Sequence, residues 1–217
     1  RDGMKYFDTC EFLDVGEDQS QWTLLEAKMT SPRSSTCAVL LDHTTAVICG
    51  GFDGSKALAS CESLDLTTHT FSPFPDLLEH RHAHAGVHYN GTIVVLGGYF
   101  YKKACEQFDP AGKWTPFAPL NQDRLWFGAA VVEGKIYVAG GYEIDSVEVY
   151  DGSVWSVVTQ LSGRSHYGGA AVALGGKLVV LGGYNAEIDV FDPATNSWSL
   201  LPKMIQARRE FLAVVSF

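Results

Sequence analysis

The sequence predicts an all-β chain folded as a β-propeller, and three observations carry that prediction. Glycine is in excess and clustered, a block of markers recurs with a period near 43 residues, and no segment shows the 3.6-residue apolar period of a useful amphipathic helix. The 22 glycines are about 10% of 217 residues, against a usual ~7%. Their doublets, Gly50-Gly51, Gly97-Gly98, Gly140-Gly141 and Gly182-Gly183, are 47, 43 and 42 residues apart. Each doublet ends an aliphatic run such as Ile93-Val94-Val95-Leu96 and is followed by an aromatic: Phe52, Tyr99, Tyr142 or Tyr184. An acidic pair comes next: Glu62 with Asp65, Glu106 with Asp109, Glu148 with Asp151, Asp189 with Asp192. Phe71, Trp114, Trp155 or Trp198 then closes the unit, and Arg33, Arg81, Arg124 or Arg164 stands ahead of each doublet.

Within a unit the apolar runs are short and punctuated by turns, which reads as four strands. Asn90-Gly91, Glu133-Gly134 and Gly175-Gly176 sit between two such runs, where a two-residue hairpin needs residues tolerant of positive φ. In the third unit the strands are expected at Gly128 to Val132, Lys135 to Ala139, Asp145 to Tyr150 and Ser153 to Val158. Units of this kind cannot bury their faces alone and pack radially. The small residues of the first strands (Ala85-Gly86, Gly128-Ala129, Gly168-Gly169-Ala170) suit the crowded strands around a central channel.

The ends continue the repeat. Arg1-Asp2-Gly3 through Cys10-Glu11-Phe12-Leu13-Asp14 matches Phe52-Asp53-Gly54 through Cys61-Glu62-Ser63-Leu64-Asp65, and the chain stops at Phe217 inside a first strand. The expected architecture is one domain over 1–217, with four complete four-stranded blades plus a split, incomplete fifth. Its repeats fall at about 1–50, 51–97, 98–140, 141–182 and 183–217, the first and last partial.

With 46% hydrophobic and 19% charged residues the chain is globular rather than disordered. A net charge of -9 argues against bulk nucleic-acid binding. The longest purely apolar runs are five residues, such as Cys37 to Leu41, whereas a membrane helix needs ~20. Five cysteines without a C-x-x-C pair suit neither a disulfide framework nor a zinc site, so a reduced, intracellular setting is expected. Cys37 and Cys49 could nonetheless face each other across a hairpin.

Most markers have a structural reading. The doublets supply backbone conformations closed to side chains, the tryptophans pack between blades, and the Glu and Asp of the third strands tie down turns and strand ends. Paired-carboxylate catalysis fits poorly, because an active site needs one special place rather than several equal ones. The arginines leave two readings open. Arg33, Arg81, Arg124, Arg164 and Arg208 occupy the same linker, between the outer strand of one blade and the inner strand of the next. They could cap carbonyls in their own loops, or form a ring at the channel mouth that recognises an acidic or phosphorylated peptide. His80, His82, His84 and His88 surround Arg81, and alternation to one side of an extended chain would permit a metal; loop histidines on a polar rim are the plainer reading.

The doublets, the Glu-x-x-Asp segments, the tryptophans and the stretch Phe191-Asp192-Pro193-Ala194-Thr195-Asn196-Ser197-Trp198 through Ala207-Arg208-Arg209 resemble kelch repeats, and are most similar to the Kelch-like (BTB–kelch) family. The resemblance implies a non-enzymatic propeller, usually of six blades, that captures a protein segment as the substrate-recognition part of a cullin-RING ubiquitin ligase adaptor in the cytoplasm or nucleus. It also implies that the residues after each Arg (Ser34, His82, Leu125, Ser165 and Arg209) face the partner, extended by Trp126, His166 and Tyr167. Phe52, Tyr99, Phe100, Tyr101, Tyr142 and Tyr184 join them from the loops after the doublets. No cofactor or catalytic residue is expected. A kelch-fold enzyme, sialate-mutarotase-like or metal-dependent, and an actin-associated structural module stay open as alternatives.

Overall fold

The structure, a computed structural model, describes residues 6–13, 21–109, 111–161 and 166–207. Its strands are β1 (Glu11–Phe12), β2 (Thr23–Leu24), β3 (Cys37–Leu40), β4 (Thr45–Cys49), β5 (Cys61–Asp65), β6 (Thr70–Phe74), β7 (Ala85–Tyr89), β8 (Thr92–Leu96) and β9 (Cys105–Phe108). There follow β10 (Trp114–Phe117), β11 (Gly128–Val132), β12 (Lys135–Ala139), β13 (Ser146–Tyr150), β14 (Trp155–Gln160), β15 (Gly169–Leu174), β16 (Lys177–Gly182), β17 (Ile188–Asp192) and β18 (Ser197–Leu201). Strands β3 to β18 form four antiparallel four-stranded sheets, each in sequence order, and β1 pairs with β2 in a separate two-stranded sheet. These are four blades of a propeller with part of another at the N-terminal side. The inner strand expected near Phe217 lies outside the described residues.

The expected strands of the third blade hold, with small shifts. β13 starts at Ser146 and β14 at Trp155. The second shift has a cause: Asp151 accepts the N–H groups of Ser153 and Val154, both at 2.9 Å, and so turns the chain before pairing resumes. The hairpins close as expected, with Asn90 and Gly91 at φ 49° and 78°.

The core lies between blades. Along β8, Ile93 and Val95 pack toward the first blade with Cys37, Val47 and Cys61. The alternate residues Val94 and Leu96 pack toward the third blade with Phe127, Ile136 and Val138. Period-two geometry thus buries both faces of a central strand, which is why it reads as an unbroken apolar run. Fully burying each such aliphatic side chain contributes about 1.5–3 kcal/mol. The tryptophans bridge blades as expected: Trp114 Nε1 donates to Pro75 O at 2.8 Å and Trp155 Nε1 to Ala118 O at 2.9 Å. Inner strands touch closely; a Cβ on Gly128 would stand 2.6 Å from Ala171 N on the next blade.

Candidate partner-binding site at the channel mouth

The linkers entering each blade are held by a buried latch. Arg33 donates to Gly50 O (2.8 Å) and Ser60 O (2.7 Å) and pairs with Glu62 at 2.7 Å. Arg81 donates to Gly97 O (2.6 Å) and Ala104 O (2.9 Å) and pairs with Glu106. Arg124 donates to Gly140 O (2.7 Å) and Ser146 O (2.9 Å) and pairs with Glu148 at 2.9 Å. The second oxygen of each Glu accepts the backbone N–H three residues ahead of the Arg: Thr30, Leu78 or Asn121. All three arginine side chains are 0% exposed.

This corrects the expectation of guanidinium groups displayed to a partner. The first glycine of each doublet donates its N–H to Ser60 O, Ala104 O or Ser146 O, and the planar Arg fork donates both to that shared carbonyl and to the glycine's own carbonyl while meeting a carboxylate. Arg33, Arg81 and Arg124 therefore belong to the scaffold. Arg164, Ser165, Arg208 and Arg209 lie outside the described residues.

In the fourth blade His166 holds the corresponding carbonyl. Its Nδ1 meets Gly182 O at 2.8 Å and its Nε2 meets Asp189 Oδ2 at 2.6 Å, and it is 1% exposed. This corrects the placement of His166 on the partner-facing surface. The signal was present as spacing: Arg81 to Gly97, Arg124 to Gly140 and His166 to Gly182 are each sixteen residues. Reading residue type rather than distance hid it.

Two residues after each latch the backbone turns left-handed: Ser35, Ala83, Trp126 and Gly168 have φ of 50°, 56°, 52° and 72°. These residues hydrogen-bond from blade to blade around the mouth. Ala83 N donates to Ser35 O (2.8 Å), Trp126 N to Ala83 O (2.8 Å) and Gly168 N to Trp126 O (2.9 Å). The loops after the doublets are sewn to the same linkers, with Tyr99 N donating to His82 O at 2.9 Å and Tyr142 N to Leu125 O at 3.0 Å. Ser34 and Phe52 exchange both bonds, at 3.0 and 2.9 Å.

The result is an aromatic face. Phe52, His82 and Tyr99 follow one another at 5.4 and 5.0 Å, and Phe100 continues the row 5.0 Å from Tyr99. Tyr101 packs edge-on to His80. On the other side Tyr167 contacts Trp126, Tyr142 and Tyr184 at 5.1–5.5 Å. Tyr99, Phe100, Tyr142 and Tyr184 are exposed. Leu125 is not: at 7% exposure it packs inward, a correction to its expected role. Between the rows lies a cavity of about 310 Å³ lined by Ser34, Ser35, Phe52, His82, Trp126 and Tyr167, with Tyr6 at its edge. Tyr6 and Ser35 were not among the expected residues, since neither carries a repeat marker.

The cavity is uncharged. Among the described residues that line it there is no Asp, Glu, Lys or Arg. Burial, then the nearby His84 and His80, push the His82 imidazole below the usual histidine range, which keeps it neutral at pH 7. Of the other histidines in this stretch, His84 is buried and His80 and His88 are exposed, and no metal-holding group of side chains occurs among the described residues.

Comparison with known proteins gives the same picture of the fold. The kelch motif model matches residues 33–78 and 165–205. Human Kelch-like protein 23 is 30% identical over 152 residues, which cover 64% of this chain and 27% of that protein. An F-box/kelch-repeat protein of Arabidopsis thaliana is 39% identical over 132 residues, 50% of this chain and 32% of that one. The chain thus spans about a quarter to a third of these relatives. Among solved structures, that of YjhT superposes with a TM-score of 0.84 at 15% identity, covering 95% of this chain and 81% of that one, a likeness of fold. The chain is a β-propeller that carries kelch motifs and is similar to the Kelch-like proteins.

Proposed function

We propose that this kelch-repeat propeller is the non-enzymatic substrate-recognition domain of a BTB–kelch adaptor of a cullin-RING ubiquitin ligase, working in the cytoplasm or nucleus. It binds a segment of its substrate protein at the channel mouth. One observation carries the binding reading: residues from all four described linkers converge on one aromatic cavity whose walls are fixed by blade-to-blade hydrogen bonds. Aromatics held on a rigid frame are the usual make-up of a binding hot spot.

The carboxylates of Glu62, Glu106 and Glu148 are taken up in latches, and the described cavity lining offers no carboxylate, thiol or amine. The five free cysteines suit a reducing compartment. The ligase role rests on similarity to Kelch-like proteins, which are longer than this chain.

Two measurements test the parts separately. The full-length parent should carry a BTB region and form a stoichiometric complex with a purified cullin–RING core; an F-box, or neither, ahead of the propeller would remove the BTB–cullin assignment. Separately, Tyr99→Ala with Tyr142→Ala should weaken partner capture without lowering thermal stability. Unchanged capture would move the binding face elsewhere.

A further inference from the structure

A second, larger cavity, of about 990 Å³, lies between the loops of the first and second blades. It shares Phe52 and His82 with the aromatic cavity and adds Asp53, Asp76, Tyr99 and Phe100. Repeat equivalence separates what the scaffold requires there from what it does not. Phe100 is the second residue after its doublet, where the other blades carry Asp53, Glu143 and Asn185. Asp76 stands five residues ahead of Arg81, where the linkers of Arg33 and Arg124 carry Lys28 and Pro119. Neither is a marker of the repeat, both are exposed, and both line this one cavity. A phenyl ring 58% exposed where its equivalents are polar is a cost to solubility that the fold does not ask for.

The Asp76 carboxylate makes no hydrogen bond or ion pair among the described residues. The backbone on either side of it is nonetheless fixed. Pro75 O accepts Trp114 Nε1 at 2.8 Å, Leu77 N donates to Ala59 O at 2.9 Å, and Leu78 N donates to Glu106 at 2.6 Å. A second carboxylate faces the same space. The N–H groups of Lys56 and Ser55 and the Ser55 hydroxyl donate to Asp53 Oδ1 at 2.8, 2.7 and 2.8 Å, which holds that carboxyl below the usual aspartate range. Lys56 is the one Lys or Arg among the described lining residues, and it is drawn to Asp53. One carboxylate is left over, that of Asp76, in a chain of net charge -9.

We propose that this cavity takes an arginine side chain of the partner's docked segment, with Asp76 as the specificity-determining residue that accepts its guanidinium N–H groups and Phe100 and Tyr99 as the rings it stacks on. The inference rests on the channel-mouth reading given above and names the chemistry of the segment. Ring surface is open for it: Tyr99 stacks on His82 at 5.0 Å yet stays 46% exposed, and Phe100 is more exposed still. Exposed aromatic faces beside an unpaired carboxylate are complementary to a cation. Arginine fits better than lysine, because a planar, weakly hydrated guanidinium can fork onto a carboxylate and lie flat on a ring. An acidic segment would instead meet Asp53 and Asp76, while the guanidinium groups of Arg33, Arg81 and Arg124 are locked in their latches.

The test is selection of phage-displayed random dodecapeptides on the intact protein, followed by calorimetry of the enriched peptides at about 50 and about 500 mM salt. Enriched peptides should contain arginine, carry net positive charge and bind more than about threefold more weakly at the higher salt. Asp76→Asn keeps the shape and removes the charge, and should weaken binding roughly 3- to 10-fold. Phe100→Leu should weaken it roughly 2- to 5-fold. Both side chains are exposed, so both variants should melt as the wild type does. Replacing the peptide's arginine by citrulline should cost as much as Asp76→Asn, and the two losses should not add. Acidic or neutral peptides that bind Asp76→Asn fully but lose affinity in Tyr142→Ala would overturn the arginine pocket and leave the channel-mouth site standing. Arginine peptides that bind Asp76→Asn and Phe100→Leu as tightly as wild type would also overturn the pocket. No enrichment at all would overturn the pocket and the channel-mouth reading together.

Discussion

The guanidinium of Arg124 and the carboxylate of Glu148 meet at 2.9 Å with neither side chain exposed to solvent. Glu148 also accepts the N–H of Asn121 at 2.8 Å, so one pair fixes both ends of a linker. Removing either partner strands a buried charge, and Arg124→Met alone should destabilise by about 3–5 kcal/mol. Adding Glu148→Leu should recover part of that loss, because no charge is then left unpaired. Arg124→Lys should not rescue, since one ammonium cannot reach Gly140 O, Ser146 O and Glu148 together. Urea denaturation of these variants and of Glu148→Leu alone decides; a double variant whose loss equals the sum of the two single losses would refute the coupling.

This relationship also shows what the sequence could convey. Doublets, hairpin turns and interblade tryptophans are local or periodic features, and they were legible because each has one physical solution. The recurrence of Arg33, Arg81 and Arg124 was equally plain, but not the direction of their side chains. That direction is set by the carbonyls of Gly50, Gly97 and Gly140, which become neighbours only when the blade is folded. His166 escaped because imidazole does the work of guanidinium at a conserved distance rather than with a conserved letter. Tyr6 escaped because it reaches the mouth from the partial blade, beside Phe52 at 5.9 Å.

The two kinds of glycine should respond differently to a methyl group. Gly97 has φ 59°, and a Cβ there would stand 2.8 Å from Arg124 O and 3.0 Å from Lys102 O. Gly91, in a hairpin turn at φ 78°, has nothing within 4 Å of the same atom. Gly91→Ala should therefore cost the left-handed penalty alone, about 1–2 kcal/mol. Gly97→Ala adds a backbone clash between blades and should cost clearly more. Thermal melts giving the reverse order would contradict the close approach of blade and linker.

Thiol chemistry should separate Cys10 from the rest. Cys37, Cys49, Cys61 and Cys105 are buried, and burial pushes the Cys105 thiol up to about 11. Cys10 is half-buried, with its thiol also raised, by burial first and by Glu62 second. Alkylation of the native protein at neutral pH should be slow and confined to Cys10, with the other four modified only in denaturant. Mass mapping that finds Cys105 labelled in the folded state would show that the second and third blades separate readily.

Acid should weaken the fold in two stages. Asp65 and Asp151 accept backbone N–H groups of Thr67 and Thr68 and of Ser153 and Val154, which hold both carboxyls below the usual aspartate range. The unfolded chain then binds protons first as pH falls through ~3.9, so this stability is present above that value and is lost below it, through the lower folded values. The His82 imidazole is also lowered in the fold, by burial first, so the same sign applies from a higher starting point. Its share is present above ~6.5 and is lost as pH falls below that value. The urea midpoint should consequently decline from about pH 6.5 downward, then steeply below about pH 4. His82→Phe should flatten the upper decline and leave the lower one in place. An unchanged upper slope in that variant would mean that His82 does not reside in the desolvated setting between Phe52 and Tyr99.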